Sequence, residues 1–391
     1  MPVYARAPVA FERGAGAYLF DEDGKPYLDF ASGVAVTALG HAHPRLARAL
    51  ADQAAKVWHT SNLFRVNGQT RVADRLCAHS FADTVFFTNS GVEAWECAAK
   101  LVRKFHAADG HPEKNRMITV TGAFHGRTLA AISATKQEKM TAGFGPLLEG
   151  FDLVPFGNLN ELRAAIGPHT AAINIEPVLG EGGIKPASAD YLRGLRAACD
   201  EFGLLLFFDE IQTGIGRTGK LFAHEWAGVT PDVMCIAKGL GGGFPVGACL
   251  ATERAAKGMT AGAHGSTFGG NPLAMAVAEE VLAVVLEPPF LENVRAVSAY
   301  ARTKLEAWAK GTSGAVEDVR GLGLMLGLRL ADRINNRDFF LTALEHQLIT
   351  VVASENVVRL LPPLIIENAH VDELIDKLDR TLRALAGRQA A

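Results

Sequence analysis

The chain has 391 residues, 49% of them hydrophobic and 21% charged, with a formal net charge of −3 at pH 7. This average globular composition excludes disorder, collagen-like repeats and coiled coil, and the near-neutral charge supplies no field for nucleic acid or an acidic membrane surface. Any anionic ligand must therefore be held by a local site, in a chain long enough for about two or three domains at roughly 100–200 residues each.

Residues 1–14 carry Arg6, Glu12 and Arg13 and lack the apolar core of a signal peptide. Cys77, Cys97, Cys199, Cys235 and Cys249 are odd in number and without CxxC spacing. They read as free thiols of a reducing, cytoplasmic compartment, with neither a disulfide framework nor a zinc site. A hairpin is expected over 17–30, turning at Asp21–Gly24, within a segment 1–45 that packs against a C-terminal unit. Between 46 and 285, strands over 84–88, 117–121, 171–176, 204–209, 233–237 and 247–251 alternate with helical patterns such as 92–106, 159–166 and 189–202. The apolar runs are strand-length, far short of the roughly 20 residues of a membrane span. Their alternation implies an α/β fold with a mostly parallel central sheet flanked by helices, which binds ligands at the carboxyl ends of its strands. After Pro288 and Pro289, a helix over 291–309, a glycine-punctuated strand over 321–330 and a last helix after His370 form a smaller α+β domain, 286–391. It closes on a small-residue tail near Ala391.

Three polar oddities follow strand ends. Asn89-Ser90-Gly91 opens a helix and can offer free N–H groups to a phosphate, although Ser90 and Glu93 also have the spacing of an ordinary capping box. Asp209 sits directly behind the apolar 204–208 and needs a partner, for which Arg217 is available. Lys238 closes the run 233–237 and precedes a glycine-rich stretch, so poor solvation lowers its pKa and frees a nucleophilic amine; a snorkelling strand-end lysine is the plainer alternative. Together, a phosphate turn, a carboxylate and a buried lysine are the parts of a pyridoxal 5'-phosphate site. A carboxylate about 4 Å from a pyridinium is worth on the order of 4 kcal/mol at an effective dielectric of ~20, enough to keep the ring nitrogen protonated.

The ordered motifs Leu-Gly-His-Ala-His-Pro (39–44), Thr-Asn-Ser-Gly-Val-Glu-Ala (88–94), Phe-His-Gly-Arg-Thr (124–128) and Glu-Pro-Val-Leu-Gly-Glu-Gly-Gly (176–183) continue along the chain. They are followed by Asp-Glu-Ile-Gln-Thr-Gly-Ile-Gly-Arg-Thr-Gly (209–219), Ala-Lys-Gly-Leu-Gly-Gly-Gly-Phe-Pro (237–245), Gly-Ser-Thr-Phe-Gly-Gly-Asn-Pro (265–272) and Arg-Leu-Leu-Pro-Pro (359–363). Over essentially its full length the chain resembles the class III, ornithine-type aminotransferases of the fold-type I pyridoxal-phosphate enzymes. The resemblance implies that Lys238 binds the cofactor and moves the proton, and that Asp209 pairs with the ring nitrogen. Gln212 would meet the ring hydroxyl region, Phe124 would stack on the ring, and Ser90, Gly91 and Val92 would cradle the phosphate. Thr267 would reach the cofactor of a second subunit in a homodimer with shared sites. Arg127 and Ser266 would contact substrate, and Arg359 would grip an α-carboxylate or pair with Glu181.

The implied activity is transfer of the δ-amine of N2-acetylornithine to 2-oxoglutarate, with succinylornithine, acyl-lysine, ornithine or 4-aminobutyrate as alternative substrates and an aminomutase as an alternative reaction. Val92, Trp95 and Leu179 depart from the family pattern; the Val92 backbone N–H still serves a phosphate, whereas Trp95 and Leu179 touch local packing or fine substrate preference. His41 and His43 have an HxH spacing without a carboxylate or cysteine in sequence reach, and read as turn or packing residues with no metal role.

Overall fold

The structure, a computed structural model, describes residues 1–390, with side chains through Gly387; Ala391, at the end of the small-residue tail, lies outside the described residues. The N-terminal strands β1 (Phe11–Ala15), β2 (Tyr18–Asp21) and β3 (Pro26–Asp29) form an antiparallel meander, with the expected hairpin pairing Tyr18 to Leu28. The central body holds β4 (Thr84–Thr88), β5 (Arg116–Val120), β6 (Phe151–Val154), β7 (Thr170–Ile175) and a small ribbon, β8 (Val178–Leu179) with β9 (Lys185–Pro186). It continues with β10 (Leu205–Asp209), β11 (Val233–Ile236) and β12 (Gly247–Ala251). The last part contributes β13 (Val316–Leu322), β14 (Met325–Leu330), β15 (Leu348–Ile349), β16 (Val351–Ala353) and β17 (Val357–Leu360).

Seven strands form the central sheet in the order β4-β12-β11-β10-β7-β5-β6. Adjacent strands from β11 through β6 pair in parallel, whereas β12 runs antiparallel to both β11 and β4. The reason is local: a parallel return needs a crossover of a dozen or more residues, and the short connection from Ala237 to Val246 allows only reversal. The strands are apolar on both faces because helices cover both. The helix Gly91–Ala108 buries Trp95, Ala98, Val102 and Phe105 against one face, while Ala189–Phe202 and Pro272–Val285 cover the other. All of β4, β5, β7, β10 and β11 end on one edge, so the segments after Thr88, Val120, Ile175, Asp209 and Ile236 converge there.

Beyond residue 286 the structure departs from the sequence reading in detail. Residues 321–330 are not one strand but the second half of a hairpin, β13–β14, because Gly323 takes a positive φ of 58° where its backbone crosses that of Thr218. Pro288 and Pro289 do not merely break a helix: they occupy the first turn of Pro288–Lys310, where a missing N–H costs nothing. Ala17, Leu28 and Phe30 share a buried cluster with Val294, Leu328, Phe339 and Leu374, and β3 pairs with β15. No described helix is long and apolar enough to cross a membrane.

Candidate active site

A cavity of about 340 Å³ opens at the convergent strand ends, lined by Ser90, Gly91, Val92, Phe124, Asp209, Gln212 and Lys238 among others. The helix Gly91–Ala108 starts on this wall, so its first amides and positive dipole end face the cavity. Ser90 caps it, its Oγ accepting the Glu93 amide at 3.4 Å, while the Glu93 carboxylate turns back to the Asn89 amide at 2.7 Å. The box therefore closes on Asn89, not on Ser90. Gly91 has no room for a side chain: a Cβ would lie 2.9 Å from Ile211.

Asp209 is 3% exposed, and its partner is not Arg217 but His125, whose Nδ1 lies 2.7 Å from Oδ2; the other oxygen accepts the Ile211 amide at 3.1 Å. Arg217 instead reaches the carbonyls of Leu324 and Pro362, because the turn after Gln212 carries it away from β10 toward β14 and the 359–363 segment. It is fully buried, and burial, only partly offset by the charge of Asp29, pushes its pKa down to about 9. His125 is buried under Trp95, with ring centroids 5.4 Å apart and planes at 13°, and the Trp95 indole N–H donates to Asn174 at 3.0 Å. His125 Nδ1 thus shares a buried hydrogen bond with Asp209, while its Nε2 has no hydrogen-bond partner.

Lys238 begins a short 3-10 turn after β11 in a left-handed conformation, φ 43°. Burial, then the charge of Arg359, holds its amine down at about 8, so an appreciable neutral fraction exists near neutral pH. Glu176, the residue after β7, lines the same cavity; burial and then the nearby Asp209 raise its carboxyl to about 7. Gln212 borders Arg359, whose Nη1 lies 3.5 Å from Gln212 Oε1 and 2.6 Å from Glu181 Oε1. Arg359 is 2% exposed and also donates to the Val352 carbonyl at 3.0 Å.

The other expected residues lie outside this lining. Arg127 is exposed, its guanidinium 5.8 Å from the Phe124 ring centroid. Ser266 meets Asn89 at 3.3 Å but otherwise serves its own loop, and Thr267 is exposed. His41, read as a packing residue, does find a carboxylate: its Nε2 lies 2.7 Å from buried Asp29, which also accepts the amides of Ala31 and Ser32. Sequence reasoning missed His125 and Glu176 as polar residues of the cavity. The signal for Glu176 was the same as for Asp209, an acid directly behind an apolar strand; His125 stood in a quoted motif but gave no sign of its partner.

The donor set fits pyridoxal phosphate. Free helix amides and the Gly91 gap suit a phosphate, the Phe124 ring forms a flat wall, and the Asp209 carboxylate and the Lys238 amine stand in one cavity. The family profile described as aminotransferase class-III matches residues 2–382. The acetylornithine aminotransferase of Mesorhizobium japonicum is 55% identical over 98% of this chain and 96% of its own. That of Rhodobacter capsulatus is 53% identical over 100% and 99%. Among solved structures, the ornithine aminotransferase from Toxoplasma gondii with partial occupancy of the cofactor at its active site superposes with a TM-score of 0.95 at 30% identity, covering 100% of this chain and 94% of that one.

Proposed function

The chain belongs to the class-III aminotransferases and is a pyridoxal-phosphate-dependent enzyme, and on that premise we propose that it transfers the δ-amine of N2-acetylornithine to 2-oxoglutarate, giving N-acetylglutamate 5-semialdehyde and glutamate for arginine biosynthesis. The observation that carries the reading is the pair formed by buried Arg359 and half-exposed Glu181 beside the Lys238 cavity. A guanidinium held this deeply suits a carboxylate ligand, and a partner at the rim can leave when one arrives. Such a site serves two alternating substrates, one presenting a distal amine and the other an α-carboxylate.

Ser90 with the amides of Gly91 and Val92 would hold the cofactor phosphate, Phe124 would cover the ring, Asp209 would pair with the ring nitrogen, and Gln212 would meet its hydroxyl side. When bound, the cofactor accepts the electron pair left as a C–H bond of the substrate breaks. His125 keeps Asp209 oriented through the Nδ1–Oδ2 hydrogen bond while Trp95 holds the imidazole ring from behind. Lys238, freed as a neutral amine, takes the proton from the carbon that bears the reacting nitrogen and returns it on the way to product. With Glu181 on Arg359 the pocket accepts the acylated diamine; with Glu181 displaced, Arg359 binds the α-carboxylate of glutamate or 2-oxoglutarate.

The reading includes a homodimer in which Thr267 of a second copy completes the phosphate site while Arg127 and Ser266 address the acyl end. The exposure of Thr267, Phe268 and Arg127 supports it. It divides the chain into a segment 1–45 that packs with the small domain, a large domain 46–285 and a small domain 286–391, supported by the core shared by Leu28, Phe30 and Leu374. Five free cysteines support a cytoplasmic location. The test is a steady-state assay for glutamate with 2-oxoglutarate and each candidate amine. N2-Acetylornithine should give the highest kcat/KM; a higher value with 4-aminobutyrate, free ornithine or succinylornithine would overturn the substrate.

A further inference from the structure

Glu176 has no part in the chemistry described above, yet its buried carboxylate ties together two walls of the cavity. Oε1 accepts the amide of Phe124 at 2.7 Å, and Oε2 accepts the amide of Gly180 at 3.2 Å. The first bond fixes the loop after β5 that presents the aromatic ring. The second fixes the residue before Glu181. On its other side, Glu181 is held by its own carbonyl, which accepts the Ser354 amide at 3.0 Å. Gly180 packs closely against Gln212, where a Cβ would fall 2.3 Å from the side-chain amide, so only glycine fits between the two. The backbone of Glu181 is thus bracketed, and its side chain swings from a fixed base.

We infer that Glu176 is a positioning residue for substrate alternation: by holding the Gly180 and Phe124 amides together it sets how readily Glu181 leaves Arg359, and so the balance between the two half-reactions. The inference rests on the proposed double specificity. Losing the Gly180 anchor loosens the base of Glu181 and weakens its pairing with Arg359. That pairing is needed when the acylated diamine reacts and is an obstacle when glutamate reacts. The Phe124 bond, by contrast, acts on both half-reactions alike.

Glu176→Gln keeps the size but sets an amide NH2 against one of the two backbone N–H groups, and the bond that opens is the longer one, to Gly180 at 3.2 Å against 2.7 Å for Phe124. The experiment is single-turnover reaction of the holoenzyme with N2-acetylornithine alone and with glutamate alone, followed by cofactor absorbance, in wild type and E176Q. The ratio of the acetylornithine rate to the glutamate rate should fall roughly tenfold in E176Q, the size expected for one buried hydrogen bond. Equal losses in both half-reactions, or no change in the ratio, would overturn the inference while leaving the functional reading intact. A wild-type holoenzyme that reacts with only one compound would instead overturn that reading. If E176Q does not fold, E176D, whose shorter arm reaches only one of the amides, is measured for the same ratio against the same two outcomes.

Discussion

Asp209, Glu176 and Arg359 are buried and hydrogen-bonded within a single chain, whereas Thr267 and Phe268 stand in solvent on a loop whose anchors are themselves exposed. That loop is held by Asn62, which donates to the carbonyls of Ser266 and Gly269, and by His59, whose ring lies 5.3 Å from Phe268. Trp58, Leu63 and Phe64 in the same stretch are 64%, 87% and 69% exposed, an apolar surface that suits the proposed second copy. The floor of the cavity is therefore organised within the single chain, at the ends of buried, hydrogen-bonded strands. In the proposed homodimer the outer face would be completed by a second copy. On that proposal, chemistry belongs to the first region and substrate reading to the second.

The sharpest way to break this comparison is at Lys238. Lys238→Ala should lose roughly 10²–10⁴-fold or more in glutamate formation, the contribution of a positioned proton-transfer group. Turnover near wild type would show that the floor has been misassigned. Next in size, Arg359→Lys keeps the charge but loses the planar fork, and should raise KM for 2-oxoglutarate by roughly 30-fold or more while leaving the half-reaction with N2-acetylornithine less affected. A uniform loss in both would place Arg359 with the packing of β17. Smaller again, Thr267→Ala should weaken cofactor retention by up to about 1.5 kcal/mol, the net value of one hydrogen bond, without altering the fold of a single copy. The check is cofactor release on dilution, and an unchanged release rate would return Thr267 to the solvent-exposed loop.

The smallest effect is one of pH. Lys238 has its folded pKa lowered from 10.5 to about 8 by burial. In the apoprotein the unfolded chain then binds more protons than the folded one between these values, so stability rises as pH climbs from about 8 to about 10.5. Thermal melts of apoprotein across this range should show that slope, and Lys238→Ala should flatten it. A slope of the opposite sign would mean that the amine is stabilised as a cation by its neighbours.

What the sequence made legible was the part of the site written in one stretch of chain. Lys238, Asp209 and the turn at Ser90 each follow an apolar strand, and the α/β pattern alone brings strand ends to one edge. Partners across the sheet were not legible. Asp209 and His125 are 84 residues apart and meet only because β10 and the segment after β5 share an edge, so the nearer Arg217 looked the better partner. Asp29 and His41 were hidden in the same way, by a tertiary turn at the start of the chain. The stretch 321–330 reads as a single strand, where the structure has a hairpin over 316–330, because Gly321 and Gly323 leave no polar turn signature among apolar neighbours.

The most direct test of the central claim is chemical trapping of the cofactor on the chain. Wild-type protein loaded with pyridoxal phosphate is reduced with borohydride, digested, and its peptides analysed by mass spectrometry. A phosphopyridoxyl group on Lys238 is the result predicted. A label on any other lysine, or none after full loading, would contradict the account of the floor and everything built on it.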